Sequence, residues 1–199
     1  NGMHENGRNH HLIADFTDAK PARPKLYPSA EDEDRVKPLQ KDSYVCIAPA
    51  SVWFTKQFPQ EKWLALIALL KSARIYLIGG PDDWHYAEAI RKKAAGKRID
   101  NLCGRLSLLQ TAALMREATM NYVNDSAPLH IASAMNAAVR AVFLSTVPTF
   151  GFGPLSDNAA VIEHEEQLYC RPCGLHGYKR CPEGHLRCAY DIDIQKFLD

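Results

Sequence analysis

The sequence predicts an α/β fold in which helices cover both faces of a parallel sheet. From Tyr44 onward, short apolar runs alternate with longer segments whose apolar residues repeat at helical spacing. The composition is ordinary for a globular domain, with 46% hydrophobic and 24% charged residues among 199. Because parallel strands are joined by helical crossovers, this alternation indicates one sheet with helices on both sides.

Five buried strands are predicted, each a short apolar run closed by turn residues. Tyr44–Ala48 ends at Pro49, and Arg74–Ile78 ends at a Gly-Gly-Pro turn. The remaining predicted strands are residues 99–102, 120–123 and 139–144. The predicted helices are residues 59–72, 83–95 and 107–117, and an Ala-rich helix that follows Pro128 and ends near Asn136.

Residues 1–42 differ from the domain predicted for residues 43–199. They are rich in proline, contain an acidic run and show little apolar periodicity. A short helix is expected near His10–Phe16, and another after Ser29, with Asp32 three residues later as its capping partner. Because long irregular segments usually link two units, we expect an interdomain connector whose N-terminal partner is missing.

Composition also excludes some function classes. The 24 Lys and Arg residues against 23 Asp and Glu give a net charge of +1, which argues against a nucleic-acid binder. No apolar run approaches the ~20 residues that a membrane helix needs. The polar, His-rich first residues do not resemble a signal peptide, so a reducing compartment is expected.

In an open α/β sheet, ligands bind beyond the carboxyl ends of the strands, which points to four loops. The loop of residues 49–58 carries Ser51, Thr55 and Lys56, whose hydroxyls and ammonium beside a helix N-terminus suit an anion. A solvated loop is the alternative for this segment.

The second and third loops give weaker signals. Glycines in residues 79–83 allow a ligand close to the backbone, and Asp82 and Asp83 could accept hydrogen bonds from sugar hydroxyls or cap the next helix. In residues 103–107, Ser107 is expected to be a helix N-cap, a role that needs no ligand.

The fourth loop, residues 124–130, precedes the Ala-rich helix. An anion site on this helix dipole is predicted from the Ser126 hydroxyl and free backbone N–H groups. The N–H groups expected to be free belong to Ser126, Ala127 and Leu129. Asp125 lies where it could hold sugar hydroxyls, and His130 could turn toward the anion. A capped helix with a buried histidine is the alternative.

Four of the six cysteines cluster near the C-terminus, whereas Cys46 and Cys103 lie in apolar surroundings typical of a core. The clustered cysteines are Cys170, Cys173, Cys181 and Cys188. A Cys-x-x-Cys pair followed by two thiols resembles a structural zinc knuckle, although the spacing is irregular. Packed free thiols and oxidised disulfides are the alternatives.

Taken together, these loops resemble glycosyltransferase family 9, the ADP-heptose:lipopolysaccharide heptosyltransferases. The strongest match is Asn124–Ala134, and the resemblance covers residues 44–190. The other matching segments are Ala48–Ser51, Lys56–Pro59 with Trp63, Leu77–Pro81, Asn101–Gly104, Leu106–Leu108, Leu144–Pro148, Gly153–Pro154 and Cys170–Cys173. Their order along the chain makes the resemblance specific.

The resemblance implies the C-terminal, donor-binding half of a two-domain GT-B enzyme, with a Rossmann-like sheet. It implies an ADP-heptose donor, a lipopolysaccharide core acceptor held by the missing domain, inversion by direct displacement and no catalytic cofactor. The carboxylate base would lie in the N-terminal half, so this chain alone is expected to be inactive. The expected location is cytoplasmic, peripheral at the inner face of the inner membrane.

The resemblance also implies roles for single residues. Lys56 would neutralise the donor phosphates, and Asp125 would contact the heptose. The diphosphate would be cradled by Ser126, Ala127 and His130. Asp82 stands closest to the position that touches the nucleotide, and Ser107 would line the adenosine pocket.

One departure from the family and two alternative functions remain open. Family members commonly have glycine where Ala127 stands, and its Cβ would crowd a close phosphate. The alternatives are a non-catalytic nucleotide- or sugar-binding module and a two-domain enzyme that uses a uridine-linked sugar. Binding of ADP compared with UDP distinguishes the last of these.

Overall fold

The computed structural model describes residues 2–17, 20–70, 74–94 and 96–198. Six strands form one sheet in the order β3-β2-β1-β4-β5-β6, and each neighbouring pair is parallel. The strands are β1 Tyr44–Ala48, β2 Arg74–Leu77, β3 Ile99–Asn101, β4 Met120–Asn124, β5 Val139–Val142 and β6 Ala159–Ile162. This architecture confirms the predicted Rossmann-like α/β fold.

Helices connect the strands and cover the sheet. The α-helices are α1 Glu5–His11, α2 Ala30–Val36, α3 Gln60–Leu69, α4 Trp84–Lys93, α5 Leu108–Glu117, α6 Ala127–Ala134 and α7 Arg187–Tyr190. Single 3₁₀ turns comprise Ala14–Phe16, Lys37–Leu39, Phe54–Lys56, Pro81–Asp83, Pro148–Phe150 and Ile194–Phe197. Among the described helices, none has the length and apolar character needed to cross a bilayer.

Two apolar clusters show that both faces of the sheet are covered. One cluster is built around Trp63 of α3 and Ile75 of β2. The other contains Leu114 of α5 and Leu129 of α6. Since burial of apolar area is the main stabilising contribution to folding, these two layers fix the sheet and its loops.

Part of the region before β1, predicted to be a connector, packs against the domain that follows it. Helix α2 is capped as predicted: the Ser29 hydroxyl accepts from the Asp32 N–H at 3.2 Å, and the Asp32 carboxylate accepts from the Ser29 N–H at 3.0 Å. Val36 is fully buried, and Glu33 pairs with Arg116 of α5 at 2.9 Å. Helix α2 therefore belongs to the helical layer of the domain.

Four elements differ from the sequence predictions. The first helix lies at Glu5–His11, earlier than residues 10–16, because His4 caps it by accepting from the Asn6 N–H. Strand β6 was not predicted, because its apolar run is only four residues long and begins with two alanines, which have low β-propensity. The helices predicted to reach residues 72 and 95 end at Leu69 and Lys93, and residues 71–73 and 95 lie outside the described ranges.

Candidate functional site

The order of the strands reverses between β1 and β4, and the loops that leave these strands line two adjoining cavities at the carboxyl edge of the sheet. We call the first, of about 330 Å³, the apolar cleft. It is lined by Ala48, Ala50, Ser51, Val52, Ile78, Gly79, Gly80, Asp83, Leu106, Leu108, Thr111, Ser126, Ala127, Pro128 and Ile131.

We call the second, of about 310 Å³, the charged cavity. It is lined by Lys56, Asp125, Ser126, Ala127, His130, Thr146, Val147, Phe150, Phe152, Leu175 and His176. Ser126 and Ala127 line both cavities, so the N-terminus of α6 lies at their junction. A ligand with an apolar end and a charged end would therefore pass over this helix terminus.

Asn124, the last residue of β4, joins the loop after β1 to the start of α6. Its amide nitrogen lies 3.0–3.3 Å from the carbonyl oxygens of residues 48, 49 and 50, and its Oδ1 accepts from the Phe58 N–H at 3.0 Å. One fully buried side chain thus satisfies groups at both ends of the loop that carries Lys56. No local sequence pattern points to this role of Asn124.

Lys56 and Asp125 form a buried ion pair inside the charged cavity. The Lys56 Nζ lies 2.8 Å from the Asp125 Oδ2, and their side chains are only 16% and 8% exposed. The Thr146 hydroxyl donates to the same carboxylate oxygen at 2.7 Å. Because Asp125 follows β4 directly, this pair positions the ammonium next to the N-terminus of α6.

The N-terminus of α6 has no side-chain cap. The Ser126 hydroxyl donates to the carbonyl of Asn124 at 3.3 Å and does not accept from the first turn. The prediction that the Leu129 N–H is free was wrong, because it donates to the Ser126 carbonyl at 3.0 Å. The positive end of the helix dipole is therefore presented by the Ser126 and Ala127 backbone at the cavity junction.

His130, on the first turn of α6, lines the charged cavity with a side chain that is partly shielded from solvent. Partial burial lowers its pKa below 6.5; Asp125 opposes this, while His4 and Lys56 add to it. The ring also lies 6.2 Å from that of Phe152. The free site therefore favours a neutral histidine that an anion would help to protonate.

Two of the other predicted site residues lie beside the apolar cleft without opening into it. Ser107 caps α5, with its hydroxyl accepting from the Gln110 N–H at 3.1 Å, and its neighbours Leu106 and Leu108 line the cleft. Asp82 does not line the apolar cleft. Its neighbour Asp83 does, and the Asp83 carboxylate accepts from the Gly80 N–H at 2.8 Å.

Ser51 and Thr55, the two hydroxyl residues predicted to bind an anion, lie in different surroundings. Ser51 lines the apolar cleft, with its N–H donating to the Gln57 side chain at 3.1 Å. Thr55 is buried, and its hydroxyl accepts from the Tyr178 N–H at 2.8 Å. The prediction that Thr55 faces the anion is therefore corrected, because its hydroxyl holds the C-terminal segment.

The Cys-rich segment forms one wall of the charged cavity, a contact that the sequence analysis missed. Leu175 and His176 line the cavity, and the Tyr178 carbonyl accepts from the Thr55 N–H at 3.1 Å. Gly177 has a φ of +88°, and a Cβ there would lie 3.1 Å from the Lys56 Cγ. Only glycine allows the segment to pass this close to the lysine stem.

Arg171 anchors this segment to the end of β5. Its guanidinium donates to the carbonyls of Leu144 at 2.6 Å and Thr146 at 2.9 Å, and it pairs with Glu163. Its side chain is only 10% exposed. Because backbone carbonyls at a strand end need donors, this arginine fixes both the segment and the turn that carries Thr146.

The four C-terminal cysteines are close together but do not converge on a point. The Cys173 thiol donates to the Cys170 carbonyl at 3.0 Å, and the Cys170 Sγ lies 3.9 Å from the His185 Nε2. Across residues 2–17, 20–70, 74–94 and 96–198, no three His, Cys, Asp or Glu side chains are grouped to hold a metal. All six cysteines are free. This geometry fits packed thiols, and it does not fit the predicted zinc knuckle or a disulfide.

The N-terminal segment is hydrogen-bonded to the loop that carries Phe150 and Phe152. The Glu5 N–H donates to the Gly151 carbonyl at 2.8 Å, and the His4 Nε2 lies 3.0 Å from the Gly153 carbonyl oxygen. Phe150 and Phe152 of the same loop line the cavity. Helix α1 therefore braces the loop whose Phe152 ring lies beside His130.

Comparison with known proteins gives a consistent result. The sequence model of glycosyltransferase family 9 (heptosyltransferase) matches residues 3–179. Lipopolysaccharide heptosyltransferase 3 of Escherichia coli (strain K12) is 30% identical over 122 residues, which are 59% of this chain and 35% of that protein. The matched region therefore spans about a third of that relative.

Two solved structures share the fold. The structure of E. coli ADP-heptose lps heptosyltransferase II has a TM-score of 0.73 at 21% identity and covers 93% of this chain and 54% of its own. E. coli heptosyltransferase WaaC with ADP has a TM-score of 0.65 at 21% identity, and the match covers 96% of this chain and 55% of the solved chain. The described fold corresponds to about half of each solved chain.

Proposed function

The chain belongs to glycosyltransferase family 9, and on that premise we propose that it binds the nucleotide-sugar donor of a heptosyltransferase, ADP-heptose, for lipopolysaccharide core synthesis. One observation carries the proposal: the apolar cleft and the charged cavity meet at the uncapped N-terminus of α6. A nucleoside, a diphosphate and a sugar are joined in this order in the donor, and the two cavities with their junction offer a place for each.

The nucleoside is assigned to the apolar cleft. Leu106, Leu108 and Ile131 supply apolar surface for a base. Gly79 and Gly80 leave the backbone accessible at the end of β2, and Asp83 lies beside them with a carboxylate that can accept from ribose hydroxyls. The solved relative that holds ADP supports adenine as the base.

The diphosphate is assigned to the junction and the sugar to the charged cavity. Departure of the diphosphate requires stabilisation of developing negative charge, which Lys56, His130 and the backbone of Ser126 and Ala127 can provide. Once Lys56 turns to the phosphates, the Asp125 carboxylate is available to the sugar hydroxyls. The Ala127 Cβ at the junction narrows the space for the phosphates.

The acceptor hydroxyl must also lose a proton. Asp125 is the single carboxylate among the described residues that line the charged cavity, and it is paired with Lys56. We therefore assign the general base to a carboxylate outside these residues, with inversion at the anomeric carbon by direct displacement. This assignment gives the chain donor binding without turnover by itself.

Calorimetry tests the assignment. ADP and ADP-heptose should bind this chain, and UDP should bind more weakly because the cleft would be matched to adenine. No transfer to a lipid A–Kdo acceptor should be detected. Tight binding of UDP with no binding of ADP would overturn the assignment of ADP-heptose as the donor. Robust transfer by this chain alone would show that the general base lies within it.

The ADP affinity should increase as the pH falls. The pKa of His130 is lowered in the free site, and a bound diphosphate raises it, so binding takes up a proton. The ADP affinity therefore rises as the pH drops from the pKa of His130 in the complex toward its lower pKa in the free chain. Below the pKa of the free chain the affinity levels off. Proton uptake is measured by calorimetry in buffers of different ionisation enthalpy.

The His130→Gln variant is the control for this pH effect, because the terminal phosphate of ADP also titrates. Subtracting its proton uptake from that of the unmodified chain isolates the contribution of the histidine. Equal uptake by both proteins would show that His130 does not sense the phosphates.

We further propose that the four clustered cysteines serve the fold as packed thiols. Cys188 is buried, and burial raises the pKa of its thiol to about 12. Cys188→Ser should lower the free energy of unfolding by about 1–3 kcal/mol, because a hydroxyl replaces an apolar thiol in the core. Denaturant unfolding measures the change, with Cys188→Ala as the comparison.

Metal analysis separates this proposal from a structural zinc site. Protein purified without chelator should contain no stoichiometric zinc or iron. About one metal ion per chain, released with a loss of stability, would show that the thiols rearrange into a ligand set.

A further inference from the structure

The buried ion pair in the charged cavity joins the two side chains that the donor assignment gives to different parts of the ligand. Lys56 is assigned to the phosphates and Asp125 to the sugar, yet their charged atoms lie 2.8 Å apart. Over the described ranges of the chain, Asp125 is the single ionic partner of the Lys56 ammonium. In the free chain each group therefore occupies the other, and a ligand has to separate them.

The stem of Lys56 is held close to its base, which leaves the outer methylenes and the ammonium to change partner. Its N–H donates to the Trp53 carbonyl at 2.9 Å, and a Cβ on Gly177 would lie 3.1 Å from its Cγ. Ser126 and Ala127, the two residues that follow Asp125, line the same cavity. The ammonium therefore needs only a short movement from the carboxylate to an anion at the N-terminus of α6.

Asp125, in contrast, is fixed independently of the lysine. Its N–H donates to the Val142 carbonyl at 2.9 Å, and its Oδ2 accepts from the hydroxyl of the buried Thr146 at 2.7 Å. Arg171 in turn binds the Thr146 carbonyl at 2.9 Å. When Lys56 leaves, the carboxylate keeps its place but loses its counter-charge, and a buried carboxylate in that state is unfavourable unless new donors reach it.

We propose that this ion pair makes the site favour the nucleotide-sugar donor over the nucleotide product, a proposal that rests on the proposed function. With ADP-heptose bound, sugar hydroxyls donate to Asp125 while Lys56 binds the phosphates. With ADP alone no hydroxyl reaches Asp125, so the carboxylate competes with the phosphates for the ammonium. Once the sugar has been transferred, Asp125 takes Lys56 back and weakens the hold on ADP, which promotes release of the product.

The Asp125→Asn variant removes the competing charge and keeps the shape of the side chain. Its ADP affinity, measured by calorimetry, should rise on the order of tenfold, and its preference for ADP-heptose over ADP should fall by a similar factor. Asp42→Asn makes the same change in an exposed pair with Arg98 and should alter neither affinity. Unchanged or weaker ADP binding by folded Asp125→Asn would overturn the proposal.

A double-mutant cycle with Lys56→Met separates competition for the lysine from simple repulsion between Asp125 and the phosphates. In the Lys56→Met background no ammonium can be released, so Asp125→Asn relieves only the repulsion. The gain in ADP affinity from Asp125→Asn should therefore be about threefold or more larger when Lys56 is present. An equal or larger gain in the Lys56→Met background would show that the two side chains do not exchange partners.

The unmodified chain provides a test that does not depend on the folding of Asp125→Asn. It should bind ADP-heptose about tenfold or more tightly than ADP, because only the donor supplies hydroxyls to the carboxylate. Equal affinities would overturn the preference for donor over product while leaving the proposed function intact. Failure of both nucleotides to bind would instead overturn the proposed function, and this proposal with it.

Discussion

Replacing Arg171 with alanine is expected to lower the free energy of unfolding by about 2–4 kcal/mol, since at least two buried carbonyls lose their donor. The guanidinium binds the carbonyls of Leu144 and Thr146, and its side chain is only 10% exposed. Urea unfolding measures the loss. Arg171→Lys should recover only part of it, because an ammonium lacks the planar array of donors.

The matched control for this prediction is Arg98→Ala. Arg98 forms a surface pair with Asp42 at 3.2 Å, and both side chains are more than half exposed. Its loss should cost about 0–1 kcal/mol, as exposed ion pairs do. If Arg171→Ala lowered the free energy of unfolding no more than Arg98→Ala does, Arg171 would not be the anchor of the C-terminal segment.

Lys56→Ala is expected to weaken ADP binding by about 1–3 kcal/mol, or roughly 5- to 150-fold, because it removes the proposed charge-assisted contact to the phosphates. His130→Ala should act in the same direction, since both side chains line the charged cavity. Calorimetry with ADP gives the affinities. Lys92→Ala, on the exposed face of α4, is the control and should bind ADP as the unmodified chain does.

Folding must be checked separately for the Lys56 variant, because its removal leaves the buried Asp125 carboxylate without its cation. Lys56→Met keeps the apolar stem that packs on Gly177 and therefore separates lost packing from lost charge. Unchanged ADP affinity in folded Lys56→Met and His130→Ala would place the phosphates elsewhere.

Much of the fold could be predicted from the sequence because its signals are local. The apolar run of β1 and the caps of Ser29 and Ser107 depend on residues within one element, and the structure confirms them. Strand β6, at the sheet edge, has only four residues and begins with two alanines, which are depleted in strands, so its sequence signal is weak.

The candidate site was only partly predictable, because its decisive contacts join distant segments. The four loops follow from strand ends and turn residues, but Thr55 and Tyr178 are 123 positions apart, and no local pattern reports their hydrogen bond. That contact turns the Thr55 hydroxyl into a structural group and brings His176 to the charged cavity. The role of Asn124 was missed for the same reason.

The clamp made by Asn124 has a consequence for engineering the chain. Its amide ties the start of the loop after β1, at residues 48–50, and the end of that loop, at Phe58, to the last residue before Asp125. The loop of residues 48–58 is therefore structurally coupled to the end of β4 at Asn124. Replacing Asn124, or replacing residues 48–58 by a loop with a different backbone course, would leave buried amide or carbonyl groups without partners, so an exchange of either segment should include the other.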